Sequence, residues 1–285
     1  MHRLEVAVRD FTPLAAGQPR LQLAAVVHLG ASNYYASLQG LLAGHPLVLF
    51  EGLGATNRQF PSRRAGAEGE YSLQPALARA LGLAFQLEAI DYRRDNFVTS
   101  DLTLAELAGV LRPGPAGDSR AGAADPAGFP LDTLLDLMNG TGWLGGLARF
   151  GVRMIGSNER LRTTVRLLLI ETLGQLEGEL EDSPQLPADL RTLLRALIEE
   201  RNRRVVRDVT EAVSRRPAPS SIAVFYGAGH MPDLEQRLRA LGYRPAGEQW
   251  LTAFEADPRA AGLSPAEVEW MRRLVDLRPA SPGRQ

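Results

Sequence analysis

The run Ser221-Ile222-Ala223-Val224-Phe225-Tyr226-Gly227-Ala228-Gly229-His230 joins an apolar segment to a glycine turn and a histidine. Ile222 to Tyr226 is β-branched and aromatic, the composition of a buried strand. Glycines at 227 and 229 break it, and Pro232 then opens an amphipathic helix over Leu234 to Leu241, where a proline in the first turn costs little. A strand, a turn and a helix in that order put His230 at the carboxyl end of a strand. In open α/β sheets that edge is where ligands bind.

The same layout recurs upstream. Leu21 to Val27 reads as a strand that ends on His28, and Gly30 and Ser32 turn the chain into a helix reaching about Leu42. Leu47 to Phe50 is a second continuous apolar strand and ends on Glu51. Leu4 to Val8 alternates weakly, as an edge strand does. Ala76 to Leu81 reads as a helix, Ala84 to Ile90 as a strand closing on Asp91 and Tyr92, and Trp250 to Phe254 as a last strand. Asp101 or Thr103, with Glu106, forms a helix start by capping chemistry. Arg112 to Pro130 is rich in glycine and proline and reads as a linker, and Leu131 to about Ser214 is helical in period throughout. Pro265 to Leu277 is a closing helix. The expected fold is α/β: a mixed central sheet flanked by helices, with a helical insertion over 131–215 between the N-terminal and C-terminal sheet segments.

Composition removes several chemistries. The 285 residues carry a net charge of −1 and no basic block, which argues against nucleic acid as a partner. No stretch is apolar for long enough to span a bilayer, and the N-terminus lacks the pattern of a signal peptide, so a cytoplasmic location is expected. There is no cysteine, hence no thiolate nucleophile or thiolate zinc site. There is no lysine either, which excludes a Schiff-base enzyme and a Walker phosphate loop. A Gly-x-Ser-x-Gly elbow and a His-Glu-x-x-His helix are also missing. Imidazole chemistry must come from His2, His28, His45 or His230. Of these, His45 falls in a turn at the opposite end of the sheet and is expected to be exposed.

His28, Glu51 and His230 each end an apolar strand, so parallel neighbours would bring them to one edge. Two imidazoles and a carboxylate suit a borderline divalent cation, whose bound water loses a proton near neutral pH. Without metal the same groups can act as general base and acid. Arg201 lies within the apolar stripe Leu190, Leu194, Leu197, Val205, Val209 and Ala212. A guanidinium there needs an anion, because an unpaired buried charge is costly. That anion is either Asp208 on the same helix or an acidic site built by another part of the chain. Asp91 and Tyr92 end a strand and are candidates for the pocket lining, although Asp101 reads first as a helix cap and Glu200 as a solvated charge beside Arg201.

Gly227-Ala228-Gly229-His230, Ala25-Val26-Val27-His28, Leu49-Phe50-Glu51 and Glu200-Arg201-Asn202-Arg203 together resemble the TraB/PrgY/GumN superfamily, related to the Tiki metalloproteases and more distantly to erythromycin esterases. Its members pair two Gly-x-x-His motifs with a strand-terminal carboxylate and a Glu-Arg helical motif. Here Ala25 stands where glycine is usual, and Asn202 where aspartate is. Order and spacing agree from about Leu21 to Phe254. The resemblance implies one domain over 1–285 and a hydrolase dependent on a divalent ion (manganese, cobalt or zinc) acting on a peptide or small-molecule substrate. His28, Glu51 and His230 would hold the metal, with Glu51 and Arg201 serving catalysis. A binding protein that keeps the pocket for a peptide or small ligand, and a metal-free His/Glu esterase, are the alternative readings.

Overall fold

Four short parallel strands lie side by side, and two long antiparallel ones extend the sheet, in a computed structural model that describes residues 1–52, 73–103, 105–106, 151–174 and 188–275. The strands are β1 (His2–Pro13), β2 (Arg20–Val26), β4 (Leu47–Phe50), β6 (Phe97–Thr99), β7 (Ser221–Gly227) and β8 (Tyr243–Ala256). Their order across the sheet is β6-β4-β7-β2-β1-β8. β6, β4, β7 and β2 run parallel, while β1 is antiparallel to both β2 and β8. The α/β class and the mixed sheet expected from the sequence are therefore what is observed.

Three of the parallel strands, β2, β4 and β7, are buried on both faces. All four residues of β4 are buried, as are Ile222 to Tyr226 of β7 and Leu21 to Val26 of β2. β1 instead alternates buried and accessible residues. The helices are α1 (Ser32–Ala43), α2 (Leu73–Ala80), the one-turn α3 (Gln86–Ala89), α4 (Glu159–Gly174), α5 (Ala188–Ser214), α6 (Met231–Ala240) and α7 (Pro265–Leu274). α6 matches its dipole, with Asp233 in the first turn and Arg237 and Arg239 in the last. α7 starts on a capping box between Ser264 and Glu267.

Several expectations are corrected. β1 is no edge strand: it lies inside the sheet and runs for 12 residues. β8 spans 14 residues, far more than Trp250 to Phe254. Ala84 to Ile90 is not one strand. Only Ala84–Phe85 (β5) is extended, pairing with Leu29–Gly30 (β3), before the chain turns into α3. β6, only three residues long, carries no strand signal in the sequence. The expected linker over 112–130, and the helical insertion between 131 and 150, lie outside the described residues. Within the rest of 131–215, the described residues are mainly helical.

Candidate functional site

Each of the four parallel strands delivers an ionisable side chain to one edge. Asp101 follows β6, Glu51 follows β4, His230 follows β7 and His28 follows β2. Register makes them neighbours, since Phe50 pairs with both Thr99 and Phe225, and Val26 pairs with Gly227. Above this edge lies α5, with Val205, Val209 and Ala212 buried on its inner face. The same face carries Arg201 and Asn202 into the site.

Arg201 is the hub. Its Nε donates to Asp101 Oδ1 at 2.9 Å, and its Nη2 to Asp101 Oδ2 and Glu51 Oε1, both at 2.7 Å. Nη1 lies 3.5 Å from His230 Nε2. Asp208 is not its partner: that carboxylate accepts from Ser100 and Arg204 instead. The anion that satisfies Arg201 thus comes from elsewhere in the chain. Burial alone would lower its pKa, but Asp101 and Glu51 more than offset this and raise it, so the guanidinium stays charged.

Asp101 has a fully buried side chain that also accepts from the backbone N–H of Gly52 and Leu102. It therefore ties the segments after β4 and β6 to α5. It is not the helix cap that the sequence suggested, because Thr103 and Glu106 form that box between themselves. Glu51 accepts from Gly227 N–H at 2.7 Å and its Oε1 lies 3.8 Å from His230 Nε2. Burial pushes the Glu51 pKa up, yet the Arg201 guanidinium, His230 and the Gly227 N–H outweigh burial and hold it below the ordinary value. Glycine at 227 has a steric reason: a Cβ there would sit 3.2 Å from Glu51 Oε2.

His230 is buried, and its Nδ1 lies 2.7 Å from Asn202 Oδ1. Burial lowers its pKa, an effect that Glu51 opposes and Arg201 reinforces, and the ring is neutral at pH 7. Asn202 is wholly buried, and its Nδ2 donates to Asp233 Oδ2 at 2.7 Å and to the His230 carbonyl at 3.4 Å. Nothing in the sequence pointed to Asp233.

His28 is on the same edge but exposed, and its Nδ1 lies 3.1 Å from Gln86 Oε1. Gln86 in turn donates to the Tyr92 hydroxyl at 2.8 Å. Tyr92 is buried; burial raises its pKa, and the nearby Glu51 charge adds to the rise. Gln86 is a further member of this group that sequence reasoning missed. Asp91 and Glu200 are not part of the site. Asp91 turns outward to Arg93 at 3.2 Å, and Glu200 pairs with Arg203 on the outer face of α5. His45, expected to be exposed, is half-buried at the far end of the sheet against Ser221 and Gln22. Ala25 sits in the core of β2, where its methyl is accommodated.

The donor set does not fit the divalent ion implied by the resemblance. Among the described residues no group of three His, Asp or Glu side chains is arranged to hold a metal. His28 bonds Gln86, and the guanidinium of Arg201 stands between the two carboxylates where a cation would bind. Among the described residues no helix is long and apolar enough to cross a membrane. No family model, no curated protein and no solved structure matches the chain.

Proposed function

We propose that this chain is a hydrolase that splits an amide or ester carbonyl with water activated by its own side chains. Peptides are the first substrate class to expect, as the resemblance to the Tiki-like proteins implies. The observation that carries the reading is the meeting of three complementary groups. The neutral His230 presents Nε2 3.8 Å from the Glu51 carboxylate and 3.5 Å from Arg201 Nη1.

In this reading Nε2 takes a proton from water as the oxygen attacks the carbonyl carbon. The imidazolium that forms is stabilised by Glu51. Negative charge builds on the carbonyl oxygen and is met by Arg201 Nη1, a donor beside the base. His230 then returns the proton to the departing amine or alkoxide. Arg201 is held for this role by Asp101, and Glu51 by Arg201 and Gly227.

Peptide and ester libraries assayed after exhaustive chelation test the proposal. Turnover should survive chelation. It should fall by about 100-fold or more in His230→Ala and in Glu51→Gln, with circular dichroism unchanged. Activity that disappears on chelation and returns with zinc, manganese or cobalt would replace this mechanism with metal-activated water. Tight peptide binding without turnover on any substrate would make the chain a binding protein.

A further inference from the structure

The two ring nitrogens of His230 are not equivalent, and the amide beside them decides which one carries the proton. Asn202 Nδ2 faces a carboxylate oxygen of Asp233 at 2.7 Å and the carbonyl of His230 at 3.4 Å. Both are acceptors, so only the NH2 end of the amide can point there. The oxygen end must then face the imidazole. At 2.7 Å from Nδ1 this oxygen requires an N–H, which leaves Nε2 with a bare lone pair. Asp233 is itself oriented by Arg237 Nε at 2.6 Å. The chain of orientation therefore runs Arg237, Asp233, Asn202, His230, from the last turn of α6 to its first turn, across to α5, and back to the residue that precedes α6.

We infer that Asn202 and Asp233 act as a positioning pair that fixes His230 as its Nδ1–H tautomer, so that Nε2 faces Glu51 and Arg201 as a proton acceptor. The catalytic consequence rests on the hydrolase reading, but the tautomer itself does not. The pair also accounts for asparagine at 202. With Asp233 already 2.7 Å away, a carboxylate at 202 would meet like charge at close range. The two groups are complementary, one amide and one carboxylate, and exchanging them preserves an acceptor for Nδ1–H.

Protein labelled with 15N-histidine separates the possibilities by nitrogen chemical shift at pH 8, with the His230 signals identified by their loss in His230→Gln. The native protein should show a protonated Nδ1 and an unprotonated Nε2. Asn202→Leu, close in size but unable to accept, should yield a mixture of tautomers. Where turnover is detected, its kcat should fall by about 100-fold with KM little changed. Asn202→Asp alone should be destabilised, and the exchanged double variant Asn202→Asp/Asp233→Asn should recover both the fold and the Nδ1–H signature. An Nε2–H tautomer in the native protein, or an unchanged Nδ1–H tautomer in Asn202→Leu, would overturn the inference. A native Nδ1–H signature lost in Asn202→Leu, in a protein with no turnover on any substrate, would leave the positioning pair in place and remove the hydrolase. With His230 assigned, the native spectrum decides the tautomer even if Asn202→Leu does not fold.

Discussion

Arg201 shows why one side chain can organise a site. A guanidinium that is 17% exposed would be very costly unpaired, so it collects two carboxylates, one with an inaccessible side chain. Asp101 meets it side-on with both oxygens, the geometry at which Arg–carboxylate bonds are strongest. Deleting Asp101 would strand Arg201 with Glu51 alone and leave the N–H groups of Gly52 and Leu102 without their acceptor. Asp101→Ala is therefore expected to cost about 3 kcal/mol or more in chemical denaturation. Glu200→Ala should stay within about 0.5 kcal/mol, since the Glu200–Arg203 pair is solvated. Equal midpoints for the two variants would show that Asp101 is not the anchor described.

At the level of elements, what could be read in the sequence depended on how each strand is buried. β2, β4 and β7 are covered on both faces, so they stand out as continuous apolar runs, and with them His28, Glu51 and His230 as strand-terminal residues. β6 has three residues, too few for any period, so in the sequence Asp101 reads as a cap. β1 and β8 owe much of their length to pairing with each other over 12 residue partners, and Pro245 and the polar residues around it disguise the early part of β8. Arg201 was legible because charge interrupted an apolar stripe. Asp233 and Gln86 carried no comparable signal, since polar residues in helices are ordinarily solvated. The unequal coverage has a measurable result. β7 is paired on both sides, whereas β6 and β8 are the outermost strands among the described residues. Amide hydrogen exchange should be slowest over Ile222 to Tyr226 and Leu21 to Val26, and at least about tenfold faster over Phe97 to Thr99 and over Arg244 to Trp250, which is exposed throughout. Protection of Arg244 to Trp250 equal to that of β7 would mean that the outer edge of β8 is covered.

For the whole molecule, the same groups couple folding to pH, and the sign can be worked out for each. His230 and His45 both have pKa values depressed below the ordinary 6.5, chiefly by burial, so the unfolded chain binds protons more readily than the native one as pH falls through 6.5. Their contribution is complete above pH 6.5 and is lost below it. Glu51 has its pKa lowered below the ordinary 4.5 by Arg201 and His230 against the pull of burial, so its contribution is complete above 4.5 and fades as acid reaches its folded value. All three act in one direction, at opposite ends of the sheet for His45 and the other two. The melting temperature should hold level from pH 8 to about 6.5, decline towards pH 5, and fall further below 4.5. Substituting glutamine for both His45 and His230 should flatten the upper part of the decline and leave most of the lower part in place, because Arg201 and the Gly227 N–H still hold the Glu51 pKa down. If the melting temperature of the native protein rises between pH 6.5 and 5, the two rings gain protons in the folded state, and His230 is not held neutral beside Arg201.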